Sequence, residues 1–176
     1  YKQKTNDIIA CDEFLIQNEE SNAVIQRVKE LFVEYNIKPY DKVTHRGNIK
    51  HILTKKGYHS EEFMLCFITY QKTIKHIDQI VEILIQEFPH IKTIIQNINE
   101  RHDNVILGDE EKILYGKGYI YDTLLDNQYK ISLKSFYQIN PIQVEKLYQT
   151  AIDLAHINQD SVVLDAYCGI GTITLS

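Results

Sequence analysis

Residues 162–173 carry the side chains whose types and spacing are most suggestive of ligand chemistry. They read Val-Val-Leu-Asp-Ala-Tyr-Cys-Gly-Ile-Gly-Thr-Ile, an apolar run that ends in Asp165 and is followed by Gly169 and Gly171. A continuous apolar run is typical of a parallel strand that is buried on both faces. Glycines let the backbone turn tightly and approach a ligand closely. The pattern therefore predicts a strand over Val162–Leu164, with a ligand at its carboxyl end.

Two kinds of cofactor could bind at such a turn. Dinucleotide sites place a pyrophosphate at a helix N-terminus and use three glycines spaced G-x-G-x-x-G. Here the third glycine is missing, and the carboxylate of Asp165 would repel a pyrophosphate but suits the amino group of S-adenosylmethionine. The residues favour a methyltransferase turn over a nicotinamide site. An ordinary glycine-rich strand–turn–helix without a ligand is the remaining alternative.

A second motif precedes this turn and begins a helix. Ser-Phe-Tyr-Gln-Ile-Asn-Pro occupies positions 135–141, and apolar residues then recur at helical spacing as far as Ala155. Asn140 is a suitable N-cap, and Pro141 suits the first helical position. Considered alone, Gln138 would be a solvated or strand-paired amide.

The two motifs together resemble the RNA uracil-5-methyltransferases, a family that modifies uridine in transfer RNA or large-subunit ribosomal RNA. The resemblance extends over most of the chain and implies S-adenosylmethionine as cofactor. It implies that Gln138, Tyr167 and Thr172 contact the cofactor, while Asp165, Gly169 and Gly171 shape the pocket. In this family a cysteine thiolate adds to carbon 6 of uracil, and a base later removes the proton from carbon 5. Both groups lie well downstream of the glycine turn, so we assign no catalytic residue to this chain and expect it to be inactive alone.

Three cysteines are scattered along the chain, without metal-binding spacing. Cys66 lies in an apolar run that predicts a core strand, and Cys168 lies in the cofactor turn rather than where a substrate would bind. Cys11 differs, because its surroundings resemble the segment in which the family supplies the last ligand of a 4Fe-4S cluster. One thiolate cannot hold a cluster that needs four ligands. We therefore expect this role for Cys11 only in a longer parent protein.

The charge distribution suggests an RNA-binding edge. The net charge is −5, which by itself argues mildly against a nucleic acid partner. Between positions 42 and 56, however, there are five basic residues and no acidic residue: Lys42, Arg46, Lys50, Lys55 and Lys56. We expect these side chains to contact RNA phosphates, although a solvated face would show the same pattern.

The remaining patterns predict an α+β central domain over 1–133 and the opening of a Rossmann-like methyltransferase domain over 134–176. The expected elements are a short strand within 1–17, helices over Asn22–Asn36 and Thr73–Phe88, a turn at Asp126-Asn127, and strands over Ile49–Thr54, Phe63–Tyr70, Ile91–Ile98, Val105–Leu107, Lys112–Tyr115, Tyr119–Leu124 and Tyr129–Leu133. We read the chain as an internal piece of a larger enzyme. Its last segment, 162–176, should then be the poorest-packed part, and its exposed strand edge could pair with another chain as a dimer.

Other functions stay open at this point. A methyltransferase acting on adenine or on protein would share only the glycine turn, and a non-catalytic RNA-binding module would use the α+β domain alone. The sequence contains no apolar run long enough to span a membrane and no signal-peptide pattern, so we expect a cytoplasmic location.

Overall fold

The computed structural model describes residues 17–176. The predicted strand within 1–17 and the expected cluster ligand Cys11 lie outside these residues. The elements, in chain order, are α1 (Glu19–Glu34), β1 (Ile49–Lys56), β2 (Phe63–Thr69), α2 (Ile77–Glu87), β3 (Ile91–Ile98), β4 (Glu110–Gly116), β5 (Tyr119–Leu124), β6 (Asn127–Ser132) and α3 (Pro141–Ala155).

A mixed four-stranded sheet organises the chain. Its order is β1-β2-β3-β4, with β2 and β3 parallel and both outer pairs antiparallel. Every residue of β2 is buried, because the sheet is covered on both faces. Strands β5 and β6 form a separate antiparallel hairpin. The predicted α+β domain is thus confirmed as a mixed sheet with helices and a hairpin.

The two faces of β2 belong to two different cores. Phe63, Leu65 and Phe67 pack with α1 and α2, and the ring centroids of Phe32 and Phe67 are 5.4 Å apart. The alternate residues of β2 pack instead against the hairpin, in a cluster of Met64, Cys66, Ile68, Ile95, Ile120, Ile131 and Leu133. Because side chains alternate along a strand, β2 joins the helical layer to the hairpin layer.

Helix α1 begins at Glu19, directly after its N-cap Asn18, and α2 begins at Ile77, later than predicted. The Asn18 side chain accepts a hydrogen bond from the Glu20 amide at 2.9 Å, which satisfies one of the first N–H groups of α1. The predicted start of α2 at Thr73 is wrong, because His76 has φ 56° and cannot continue a right-handed helix toward its N-terminal side. The Thr73 carbonyl instead accepts a hydrogen bond from the Asn48 side chain at 2.9 Å.

Two further predictions in the strands need correction. Residues Val105–Leu107 do not form a strand, because the Asn99 side-chain amide donates to the carbonyls of Val105 and Ile106 at 2.7 and 2.8 Å. The hairpin turn lies at Leu125 and Asp126, one residue earlier than predicted, since Asn127 already pairs with Leu124.

The expected strand over Val162–Leu164 is not formed in the structure. These three side chains are 98%, 56% and 89% exposed, and no residue from 162 to 176 is buried. A parallel strand needs neighbours for its hydrogen bonds, and none of the six strands of residues 17–176 pairs with it. The expectation that this segment is poorly packed is confirmed, whereas the Rossmann-like sheet is not seen in these residues.

Candidate functional site

The segment that carries Gln138 is anchored at both ends. At its start, the Lys55 ammonium donates to the carbonyls of Ser132 and Ser135 at 3.0 and 2.6 Å. At its end, the Asn140 side chain accepts from the Gln143 amide at 3.1 Å and caps α3, as the sequence predicted. Gln138 lies between these anchors and is half-buried.

A buried carboxylate holds the middle of the same segment. Asp122, only 1% exposed, accepts hydrogen bonds from the amides of Tyr58, His59 and Ser60 at 2.9, 2.9 and 3.1 Å. Its fourth donor is the Tyr137 hydroxyl, at 3.0 Å. Burial, together with the neighbouring Asp122 charge, raises the pKa of Tyr137 well above its usual range, so this hydroxyl stays a donor. The residue next to Gln138 is therefore fixed to the β1–β2 turn and to β5.

The sequence interpretation missed Asp122, although a signal was present. In β5 the buried positions alternate through Ile120, Asp122 and Leu124, so an acidic residue stands where the strand pattern requires an apolar one. Buried charges are retained in proteins when they are hydrogen-bonded. The same β1–β2 turn also reaches α3, because His59 Nε2 lies 2.7 Å from a Glu145 carboxylate oxygen.

The glycine turn packs against the same region of the molecule. Ile170 joins a cluster built on Leu124, Tyr129, Val144 and Tyr148, which Tyr137 also contacts. The hydroxyl groups of Tyr148 and Thr172 lie 3.0 Å apart, and the Tyr129 hydroxyl donates to the Thr172 carbonyl at 3.3 Å. Two motifs that are about thirty residues apart in sequence therefore meet on one cluster formed by the hairpin and α3.

Among the remaining residues of the expected cofactor site, Tyr167 and Gly169 are exposed, whereas Asp165 and Gly171 are half-buried. Gly169 and Gly171 have φ of 57° and 81°, and a Cβ at Gly169 would meet no atom within 4 Å. One Asp165 carboxylate oxygen accepts from the Tyr167 amide at 3.3 Å, and the other accepts from the Thr174 hydroxyl. Tyr167 is 98% exposed. An amide, a carboxylate and an open glycine backbone are groups that suit a ligand with both amino-acid and nucleoside parts.

Three of the five expected RNA-binding cations make contacts within the protein. Lys50 donates to the carbonyls of Asn99 and Arg101 at 3.1 and 2.6 Å, and Lys55 donates to two carbonyls as described above. Burial lowers the pKa of both lysines. Lys56 lies 2.7 Å from a Glu20 carboxylate oxygen and 2.5 Å from one of Glu61. Although burial opposes it, this pairing raises the pKa of Lys56.

Lys42 and Arg46 differ from these three because both side chains are exposed. They lie in the turn that precedes β1. A row of positive charges in the sequence does not reveal which ammonium groups the fold uses for its own carbonyls and carboxylates. Lys42 and Arg46 are thus the members of the row most accessible to a phosphate.

The described cysteines do not have the environment of a nucleophile. Cys66 is fully buried in β2, and burial raises the pKa of its thiol to about 12. Cys168 is exposed, but it lies within the glycine turn. Over residues 17–176, no group of three or more His, Cys, Asp or Glu side chains could hold a metal ion. In the same residues no helix combines the length and apolar character needed to cross a membrane.

The sequence and fold match proteins that carry RNA methyltransferase names. Comparison with models of known protein families gave no match. A protein of Halalkalibacterium halodurans named as an uncharacterized RNA methyltransferase is 43% identical over 175 residues, and one of Streptococcus mutans is 41% identical over 176 residues. The chain is homologous to these RNA methyltransferases over almost its whole length. These two relatives are much longer than the chain, because the matches include 99% or more of this chain but only 38% and 39% of the relatives.

A solved structure supports the same relationship at the level of fold. The tRNA (uracil-54, C5)-methyltransferase of Pyrococcus abyssi, in complex with S-adenosyl-L-homocysteine, superimposes with a TM-score of 0.79 and 25% sequence identity. The match covers 99% of this chain and 41% of that one. The mixed sheet, the hairpin and α3 of this chain therefore have counterparts in that methyltransferase structure.

Proposed function

We propose that this chain is part of an S-adenosylmethionine-dependent enzyme that methylates carbon 5 of uridine in RNA. The observation that carries the proposal is the meeting of the Gln138 segment and the glycine turn on one cluster. The likeness to a tRNA uracil methyltransferase structure supports uracil as the base. Because the chain spans less than half of its relatives, the proposal concerns the full-length protein.

Six residues are proposed to hold the cofactor, which supplies the methyl group. Gln138 offers an amide beside the rigid Tyr137, and Asp165 offers a carboxylate for an amino group. Gly169 leaves the backbone open and Gly171 lies beside Leu175, while Tyr167 and Thr172 complete the set from the same turn. The Tyr148 and Tyr129 contacts orient Thr172. These are the six residues that the family resemblance implies for this pocket.

The proposed reaction needs a nucleophile, because carbon 5 of uracil is a weak nucleophile by itself. Addition of a cysteine thiolate to carbon 6 would place electron density on carbon 5, and after methyl transfer a base would remove the proton from carbon 5 as the thiolate leaves. We assign neither group to Cys66 or Cys168, for the reasons of burial and position given above. In the full-length protein Cys11 is proposed as a ligand of an iron–sulfur cluster, together with other thiolates.

The decisive experiment measures methyl transfer by the full-length protein. Unmodified transfer RNA and ribosomal RNA transcripts are incubated with methyl-labelled S-adenosylmethionine, and the digested nucleosides are separated by mass. We expect the label in 5-methyluridine, from one of the two RNAs. Label in methyladenosine, or in the protein itself, would instead support a methyltransferase of another class. RNA binding without any transfer would support the non-catalytic alternative.

We predict that Lys42→Ala combined with Arg46→Ala weakens RNA binding by the full-length protein. Each lost phosphate contact lowers the slope of log affinity against log salt concentration by about one unit, so the double variant should lose about two. The loss should be similar for different RNA sequences and should leave cofactor affinity unchanged. The measurement is fluorescence anisotropy across a salt series.

A matched control for this pair replaces two exposed lysines elsewhere, Lys29 on α1 and Lys117 in the β4–β5 turn. If both double variants change the salt slope equally, the effect is one of net charge. If the Lys42 and Arg46 variant binds as the wild type does, these side chains are a solvated surface.

A further inference from the structure

Four aromatic rings gather near the end of the sheet where β2 and β3 finish. Tyr40 precedes β1, His45 lies in the following turn, Tyr70 follows β2 and His102 lies in the loop after β3. We call them the Tyr–His cluster. The ring centroids of Tyr40 and Tyr70 are 4.8 Å apart, and those of His45 and His102 are 4.3 Å apart. The tyrosines are half-buried and both histidines are exposed, so imidazole rings form the outer surface of the cluster.

The Tyr40 hydroxyl fixes both imidazole rings. It lies 2.7 Å from His45 Nδ1 and 3.1 Å from His102 Nδ1. A hydroxyl has one hydrogen, so it donates to one of these nitrogens and accepts from the N–H of the other. Exposed side chains normally lose rotamer freedom when a ligand binds, and a ring that is already held loses less. The two rings are thus ordered before any ligand arrives.

The backbone under His45 is rigid as well. The Asp41 carboxylate accepts from the amides of Val43 and Thr44 at 2.8 Å each, which lowers the pKa of Asp41, and the Asp41 amide donates to the Arg46 carbonyl at 2.8 Å. Within this turn His45 has φ 54°, a conformation that a non-glycine residue adopts at a cost. Such conformations persist only where the surrounding structure imposes them, and they are enriched at ligand-binding sites.

The turn is also clamped at its far end. A Cβ at Gly47, which has φ 88°, would lie 1.9 Å from the Pro39 carbonyl oxygen, so only glycine fits there. The backbone at Gly47 therefore packs directly against Pro39, the residue that precedes Tyr40.

The loop that carries His102 is held by two side chains. The Asn99 side chain accepts from the Arg101 amide at 2.9 Å and donates to two carbonyls farther along the loop. The Lys50 ammonium donates to the Arg101 carbonyl at 2.6 Å and lies 5.1 Å from the centre of the Tyr40 ring. Loop and turn are therefore joined through Lys50 and Tyr40, and both histidines stand on fixed backbone.

The charges around the cluster favour an anionic ligand. The Asp41 carboxylate is occupied by backbone amides, and the Asp103 carboxylate pairs with Arg101 at 2.5 Å, which lowers the pKa of Asp103. Lys42 and Arg46 are exposed in the same turn as His45. A ligand that offers a flat aromatic ring beside a phosphate would match both the rings and the cations.

We propose that the Tyr–His cluster is a stacking site for an unpaired RNA base, with Lys42 and Arg46 contacting the flanking phosphates. The proposal rests on the proposed function, since it takes RNA as the ligand. Bases of single strands stack on aromatic side chains, histidine included, and such stacking is tolerant of sequence. The site therefore positions a strand of the substrate on the central sheet without selecting the modified base.

A metal ion is a poorer match for this cluster. Both Nδ1 atoms point to the Tyr40 hydroxyl, and the described residues offer no third His, Cys, Asp or Glu ligand at this place. Stacking uses the ring faces and leaves these hydrogen bonds in place.

The test compares RNA with and without bases in the full-length protein. The probes are a fluorescently labelled single-stranded oligouridylate and an abasic strand of equal length. The variant combines His45→Asn with His102→Ala, because asparagine tolerates the left-handed backbone of position 45. We expect a loss of about tenfold in affinity for the oligouridylate, because stacking on an aromatic ring is worth about this much or more. Affinity for the abasic strand and the salt slope should not change.

Two matched variants complete the design. Arg46→Ala should weaken binding to both strands and lower the salt slope by about one unit. Tyr40→Phe keeps all four rings but removes the hydroxyl that holds the histidines, so its loss should be smaller, about threefold, and confined to the strand with bases. Thermal unfolding of each variant reports whether the fold is intact.

The proposal is overturned if the double variant, folded, binds oligouridylate as the wild type does, or if it loses affinity equally for the abasic strand. If the wild type still methylates uridine in that case, the proposed function is unaffected and only the stacking site is wrong. If the wild type neither binds oligouridylate nor methylates RNA, the proposed function fails, and the stacking site fails with it.

Discussion

Replacing Asp122 with alanine is expected to lower the free energy of unfolding by about 3 kcal/mol or more. The change leaves three backbone amides and the Tyr137 hydroxyl without their acceptor, and an unsatisfied buried polar group costs about 1–3 kcal/mol. Several such groups in one place put the variant among the most destabilising single substitutions. The measurement is chemical denaturation of the full-length protein, followed by fluorescence or circular dichroism.

The matched control for this variant is Asp126→Ala, an exposed aspartate in the turn of the same hairpin. It should change stability by less than about 0.5 kcal/mol, as surface substitutions usually do. Tyr137→Phe should cost about 1.5 kcal/mol, because it removes one hydrogen bond to a charged acceptor while three amides of the β1–β2 turn still bind Asp122. Equal stability of the Asp122 and Asp126 variants would show that the carboxylate does not support the fold.

Replacing Gln138 with alanine is expected to weaken S-adenosylmethionine binding by about 1–3 kcal/mol, which corresponds to roughly 5- to 150-fold in the dissociation constant. The reason is the position of this amide, half-buried on a segment that Lys55, Asp122 and the α3 cap hold in place. A rigidly held amide that pairs with a ligand leaves an unpaired polar group on the ligand when it is removed. Isothermal titration of the full-length protein measures the effect directly.

Gln128→Ala is the control, since Gln128 is an exposed glutamine on β6 of the same hairpin. Its cofactor affinity and its stability should match those of the wild type. Gln138→Ala should also leave binding of the oligouridylate unchanged. The Gln138 segment lies near the β1–β2 turn, whereas the Tyr–His cluster lies at the other end of the sheet, where β2 and β3 finish. Wild-type cofactor affinity in the Gln138 variant would remove this residue from the proposed site.

Regular elements with a strong pattern were predicted closely. Strands β3 and β5 have the predicted bounds, Ile91–Ile98 and Tyr119–Leu124, because apolar runs and alternation are decided by burial along the strand itself. The Asn140 cap and Pro141 also lie where the sequence placed them. These features depend on local chemistry, so a single sequence is enough to predict them.

Features that depend on distant partners were predicted less well. The sequence predicted Lys50 and Lys55 to be phosphate ligands, but each ammonium group donates to two carbonyls that are more than forty residues away in sequence. Asn99 satisfies the carbonyls of the expected strand over Val105–Leu107, and the apolar run over Val162–Leu164 pairs with none of the described strands. The cluster that joins the Gln138 segment to the glycine turn could not be predicted either, because neither motif contains the hairpin residues that pack against it.

The cluster shared by the hairpin, α3 and Ile170 has a consequence for how this protein can be divided. A boundary between 133 and 134 separates the motifs in sequence, yet Leu124 and Tyr129 on one side of it pack against Val144 and Tyr148 on the other. A chimera joined at that boundary would take the two sides of this cluster, and the two partners of the Asp122–Tyr137 hydrogen bond, from different proteins. A cut before β5 is no better, because Ile120 and Ile131 of the hairpin pack against β2 and Asp122 binds the β1–β2 turn. In modular terms, the hairpin packs on both the sheet and α3, so neither boundary separates two independently packed units.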